Sequence, residues 1–143
     1  MIGPGTGVAP FRAAIQERVA QGHRGNCLFF GCRQKSKDFY CQLEWEELVT
    51  KGFLMLFTAF SRDQEEKVYV QHRIRENGKL LWELLSRRDA HVYLAGNAQQ
   101  MPAAVAEALQ WVLQSEGGLS ASEAEEYFRA LERSQRFQSE TWS

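Results

Sequence analysis

Short apolar runs alternate along this chain with longer amphipathic stretches, and that alternation constrains the fold more than any other feature. Cys27-Leu28-Phe29-Phe30, Phe53 to Phe60 and His91-Val92-Tyr93-Leu94 have strand length and composition. Between them, Val8, Phe11, Ile15 and Val19 recur at helical spacing, as do Val105, Leu109, Val112 and Leu113. Phe39 to Lys51 reads as a helix stopped by Gly52, and two helical pieces flank Asn77-Gly78. Strands alternating with helices define an α/β fold, a parallel sheet covered by helices. The run Phe53 to Phe60 is almost continuously apolar, as expected of a strand buried on both faces.

The remaining segments fit the same frame. Met1-Ile2 reads as the last residues of a strand entering Gly3-Pro4-Gly5-Thr6-Gly7, and Arg33 to Asp38 reads as a polar loop. Pro102 is tolerated in a first helical turn, and Gly117-Gly118 end that helix. Ser120 and Glu123 form a capping box for a helix that turns Ala124, Tyr127, Phe128 and Leu131 inward. Arg136 to Ser143 is an extended tail. There is no internal repeat and no linker, so residues 1–143 are expected to be one domain whose opening strand is cut short.

Composition narrows the function classes. A formal net charge of -1 lacks the basic surplus of a general nucleic-acid binder. Cys27, Cys32 and Cys41 follow no C-x-x-C pattern, and His23, His72 and His91 lack metal-ligand spacing, so no metal site is expected. No apolar run approaches the ~20 residues of a membrane span, and the opening residues do not resemble a signal peptide. Together with unpatterned cysteines, this sets the cytoplasm as the expected location.

Three places carry candidate chemistry. The loop Gly3-Pro4-Gly5-Thr6-Gly7 lies between a strand end and a helix, where glycines let a phosphate approach the backbone and the helix presents free N–H groups. Thr6 adds a hydroxyl. The loop is neither G-x-G-x-x-G nor a P-loop, and a ligand-free tight turn is the competing reading.

Ser61-Arg62 follow directly on a strand, at the ligand edge of a parallel sheet. In Lys67-Val68-Tyr69-Val70-Gln71 an extended backbone turns Lys67, Tyr69 and Gln71 to one face and Val68 and Val70 to the other. Arg, Lys and Tyr side chains suit an adenosine carrying a 2′-phosphate. The alternative is a solvated edge whose cations pair with Asp63, Glu65 and Glu66.

The third place joins Ala95-Gly96-Asn97, at the end of a strand, with the tail. The first is open to a nicotinamide or pyrophosphate, or is a plain turn. Glu140 and Trp142 share a face if extended, so Trp142 is either a stacking lid over a flat ligand or the anchor of a chain end.

Gly3-Pro4-Gly5-Thr6-Gly7-Val8-Ala9-Pro10-Phe11, Gly31-Cys32-Arg33, Ala59-Phe60-Ser61-Arg62, Lys67-Val68-Tyr69-Val70-Gln71 and Trp142-Ser143 resemble, in matching order, motifs of the diflavin reductases, relatives of ferredoxin–NADP reductase. Ala95-Gly96-Asn97 and Glu140-Thr141-Trp142 are most similar to the cytosolic members that feed electrons to iron–sulfur cluster assembly. The resemblance implies a Rossmann-like open sheet of five parallel strands in the order 3-2-1-4-5, with helices on both faces. It also implies an NADP(H)-binding domain that passes hydride from NADPH to FAD, electrons then moving through FMN to an acceptor protein. Gly3, Gly5, Thr6 and Gly7 would bind the phosphates, and Arg33 would lie near the adenosine or pyrophosphate. Ser61, Arg62, Lys67, Val68, Tyr69, Val70 and Gln71 would surround the 2′-phosphate adenosine, and Gly96 and Asn97 the nicotinamide end. Trp142 would cover the FAD ring, with Glu140 beside the hydride site.

The chain departs from the family pattern at three positions. Many relatives carry Cys at Ala95, Asp at Glu140 and a carboxylate at Ala104. Nothing in the chain resembles an FAD or FMN domain. The expectation is therefore the NADP(H)-binding lobe of an oxidoreductase, inactive alone; the alternatives are a non-catalytic NADP(H)-responsive module or a purely structural domain.

Overall fold

The computed structural model describes residues 1–3, 5–97 and 101–142, with Thr6, Asn97 and Trp142 described by their backbone alone. A single 3₁₀ turn over Gly5–Val8 leads into α1 (Ala9–Ala20), β1 (Asn26–Cys32), α2 (Lys35–Asp38) and α3 (Gln42–Thr50). There follow β2 (Leu54–Phe60), α4 (Val70–Glu76), α5 (Gly78–Arg87) and β3 (Val92–Asn97). The chain ends with α6 (Met101–Ser115), α7 (Ala121–Arg133) and β4 (Phe137–Trp142).

All strand pairing among the described residues is parallel. β1 pairs with β2 from Asn26↔Leu54 to Cys32↔Phe60, and β3 pairs with β4 from Val92↔Phe137 to Asn97↔Trp142. These are two two-stranded sheets, and Ile2 bridges to Phe29 of one and Leu94 of the other. Its N–H donates to the Tyr93 carbonyl at 2.8 Å, and its own carbonyl accepts from Ala95 N–H at 3.0 Å. On the other side, Phe29 N–H donates to the Met1 carbonyl at 2.8 Å and Gly3 N–H to the Phe29 carbonyl at 3.0 Å.

Alternation along the strands sends side chains into two cores. Phe29 and Leu94 join Val70, Ile74, Leu85, Leu109, Val112, Leu113, Phe128 and Leu131 beneath α4 to α7. Leu28, Phe30 and Ala95 join Phe11, Ile15 and Trp45 beneath α1 and α3. Helices therefore cover both faces, as the α/β reading requires. The helix starting at Ala121 carries the expected box: Glu123 N–H donates to Ser120 Oγ at 3.1 Å, and Ser120 N–H to Glu123 Oε1 at 3.0 Å. Its Ala124, Phe128 and Leu131 are buried. Gly117 is required by closeness: a Cβ there would lie 2.6 Å from the Leu113 carbonyl oxygen and 2.8 Å from the Trp82 ring.

Several local expectations are corrected. Apolar β2 is not buried on both faces; only Leu54 and Ala59 are buried, and Met55 is 39% exposed. The reason is its place: among the described residues it pairs on one side only, with β1, whose burial is nearly continuous. The stretch Lys67 to Gln71 is not extended throughout. α4 begins at Val70, which is buried, so Gln71 sits in the first helical turn and does not alternate with Tyr69. Arg33 to Asp38 contains the single helical turn α2, and α3 starts at Gln42, not Phe39. Phe39 instead stacks on Phe30, with ring centroids 5.3 Å apart, and Cys41 (φ 61°) turns the chain into the helix. The tail from Phe137 is a paired strand.

Candidate functional site

The carboxyl ends of the strands bring the predicted segments to one edge. Gly3 is buried between β1 and β3, its N–H held by the Phe29 carbonyl. Gly5 has φ 59°, a left-handed conformation that glycine adopts without strain. The turn runs straight into α1, whose N-cap Val8 offers no side-chain hydrogen bond. Its first N–H groups are thus not capped by a side chain, the condition under which a helix start receives an anion.

Beside this turn, backbone hydrogen bonds join the two loops that leave β1 and β2. Ser61 N–H donates to the Cys32 carbonyl at 2.9 Å, and Arg62 N–H to the Arg33 carbonyl at 2.8 Å. Two loops leaving adjacent strands are thereby bonded backbone to backbone, Arg62 being joined to Arg33 through its N–H. Ser61 is buried, whereas Arg33, Arg62 and Lys67 are exposed. Among the described residues none of these three cations is in an ion pair. Asp63, expected as a competing partner, instead accepts Lys35 N–H at 3.0 Å through Oδ2. Tyr69 is 42% exposed and caps α4, its N–H donating to His72 Nδ1 at 2.9 Å.

At the other end of the edge, the β3–β4 register places Glu140 opposite Ala95, Thr141 opposite Gly96 and Trp142 opposite Asn97. Ala95 and Gly96 are buried. The side chains of Thr6, Asn97 and Trp142 lie outside the described residues, as does Pro4. Burial pushes the Cys27 and Cys32 thiols up to about 11.

Glycine turn, bonded cationic loops and paired strand ends together form a donor set suited to an extended polyanion. The sequence matches, over residues 1–107, the family described as the oxidoreductase NAD-binding domain. The chain belongs to that family. It is 68% identical over 143 residues to NADPH-dependent diflavin oxidoreductase 1 of Xenopus laevis, covering 100% of this chain and 24% of the relative. The protein of the same name in Schizosaccharomyces pombe is 47% identical over 142 residues, 99% of this chain and 24% of its own length. The sulfite reductase [NADPH] flavoprotein alpha-component of Shewanella oneidensis is 50% identical over 144 residues, with coverage of 99% and 24%. This NAD-binding domain thus spans about a quarter of the length of the curated relatives it matches.

Of the predicted residues, Gly3, Gly5, Arg33, Ser61, Arg62, Lys67, Tyr69 and Gly96 reach the same edge of the NAD-binding domain. Val70 does not: it is core, 3% exposed. Val68 also packs on that core, partly buried. Sequence reasoning missed Asp63 and His72, which shape the loops. The sequence reading gives Asp63 only as a partner for cations, and its bond to Lys35, 28 residues away, follows no local spacing. A His three beyond Tyr69 is a capping-type spacing and was legible as such.

Proposed function

We propose that this domain binds NADP(H) and, in a longer flavoprotein, presents it for hydride transfer to FAD, electrons then passing through FMN to an acceptor protein. The observation that carries the reading is the backbone-bonded pair of loops bearing Arg33 and Arg62 beside the glycine turn. The names of relatives that match across essentially the whole chain support it. Arg62, Lys67 and Arg33 hold the 2′-phosphate adenosine, with Ser61, Tyr69 and Gln71; Gly3, Gly5, Thr6 and Gly7 hold the phosphates. Gly96 and Asn97 line the nicotinamide end, and Trp142 and Glu140 sit at the hydride site. Bound NADPH supplies the hydride and FAD accepts it; this chain binds, orients and excludes water. The acceptor we favour is a factor of iron–sulfur cluster assembly, in the cytoplasm.

We read the sheet as five strands in the order 3-2-1-4-5, the segment at Met1-Ile2 being the first. The two bridges of Ile2 support this. So do the backbone bonds here: Ile2 N–H donates to the Tyr93 carbonyl and Gly3 N–H to the Phe29 carbonyl, which sets this segment between β1 and β3.

The test of function is calorimetric titration of the intact protein with 2′,5′-ADP and 5′-ADP. Each charge-assisted hydrogen bond contributes roughly 1.5–3 kcal/mol, so two of them favour the 2′-phosphate by about a hundredfold or more. Equal affinities would reject the NADP(H) reading. The second reading, a non-catalytic NADP(H)-responsive module, is favoured by Ala95, which lacks the thiol that many relatives carry. It predicts normal nucleotide binding without NADPH-driven ferricyanide reduction by the intact protein.

A further inference from the structure

We infer that Asp63 is a positioning residue for anion selectivity, holding the Arg33 loop against the Arg62 loop so that both cations address one phosphate. The inference rests on the NADP(H) reading above and names a residue that reading does not use.

The argument starts from what fixes the two loops. Past the ends of β1 and β2 the two loops are joined by backbone bonds, Ser61 N–H to the Cys32 carbonyl and Arg62 N–H to the Arg33 carbonyl. The next link is a side chain: Asp63 Oδ2 accepts from Lys35 N–H at 3.0 Å, 28 residues away in sequence. That bond reaches the start of α2, so it ties the residues on both sides of Arg33 to the Arg62 turn. The 33–38 loop is also closed locally, Gln34 N–H donating to Asp38 Oδ2 at 3.1 Å. The Arg62 turn is braced from below by Gln64, whose Nε2 donates to the Phe60 carbonyl at 2.7 Å and the Glu66 carbonyl at 2.8 Å. Each loop is therefore stiff by itself, and Asp63 is the side chain that sets one relative to the other.

A carboxylate beside an anion site carries an electrostatic penalty, since its charge opposes the ligand. Asp63 makes no ion pair among the described residues that would offset this. Positioning and repulsion act in opposite directions, and this makes the two roles separable. Asp63→Ala removes the acceptor and the charge; Asp63→Asn removes the charge and keeps an acceptor oxygen for Lys35 N–H.

The experiment measures 2′,5′-ADP and 5′-ADP affinity of the intact protein, native and with each substitution, together with amide hydrogen exchange at Lys35 and Arg62 without nucleotide. The expected result is faster Lys35 and Arg62 exchange in Asp63→Ala, with about five- to tenfold weaker 2′,5′-ADP binding, unchanged 5′-ADP binding, and near-native selectivity in Asp63→Asn. Tighter 2′,5′-ADP binding in both variants would overturn the inference, showing Asp63 to be only a repelling charge. An equal loss for both ligands would also overturn it, showing a general loss of fold. If the native protein itself shows no preference for 2′,5′-ADP, the NADP(H) reading fails first and the inference with it; faster Lys35 exchange in Asp63→Ala would still register the loop contact.

Discussion

The two edges of the sheet handle polar groups in opposite ways. At the amino edge they are consumed by the protein. Asn26, 2% exposed, donates through Nδ2 to the His23 carbonyl at 2.8 Å and the Phe53 carbonyl at 3.0 Å, and accepts from Arg18 Nε at 2.6 Å. Arg136, entering β4, donates to the Leu85 carbonyl at 2.7 Å and the Ala90 carbonyl at 3.3 Å. At the carboxyl edge, Arg33, Arg62 and Lys67 stand exposed outside any ion pair of the described residues, and α1 starts without a side-chain cap. The difference separates stability from recognition: groups satisfied internally hold the sheet together, and groups left to solvent are free to meet a ligand.

If that division holds, removing a group from the amino edge costs stability and leaves selectivity alone. Asn26→Ala removes the amide that bonds the His23 and Phe53 carbonyls and the Arg18 guanidinium. At about 1 kcal/mol net for each of the three hydrogen bonds lost, we expect a loss of about 3 kcal/mol. For a domain of this size that lowers Tm by about 9 °C. The ratio of 2′,5′-ADP to 5′-ADP affinity should stay native; a collapse of the ratio would break the comparison.

Arg62→Ala is the converse. Losing one charge-assisted contact, about 2 kcal/mol, weakens 2′,5′-ADP binding about thirtyfold. Because the Arg62 side chain is exposed and outside any ion pair of the described residues, thermal unfolding should move by no more than about 1 °C. A large fall in Tm would place Arg62 among the structural groups instead.

Much of this division was legible in the residues. Strand–helix alternation, the Ser120–Glu123 box and the glycine turn are local patterns, and local patterns survive folding. What escaped was set by neighbours distant in sequence. Phe53 to Phe60 reads as fully buried because its composition matches that of β1; its half-exposure follows from pairing on one side only. Lys67 to Gln71 reads as a strand, but Val70 packs into the core with Ile74, and the helix wins. Asn26 looks like a loop residue before a strand, and its role depends on Arg18 and Phe53 arriving from other elements. The Arg33–Arg62 contact joins residues 29 positions apart, which no spacing rule connects.

Helix starts give the finest version of the same contrast. α7 closes its first N–H groups with Ser120 and Glu123, whereas α1, whose second residue Pro10 has no N–H, follows the glycine turn without a side-chain cap. Ser120→Ala should therefore cost about 1 kcal/mol, the smallest effect of this series, and leave nucleotide binding unchanged. The hydrogen bond from Ser120 N–H holds the Glu123 carboxyl below its ordinary value of 4.5. A depressed folded-state value means that the carboxylate stabilises the fold at neutral pH, and that this contribution fades as pH falls through the lowered value. The gap in Tm between the native chain and Glu123→Gln should then be full near neutrality and narrow below about pH 4. No gap at neutral pH between the native chain and Glu123→Gln would mean that the Ser120 hydroxyl alone caps α7, leaving the Glu123 charge no part in closing it.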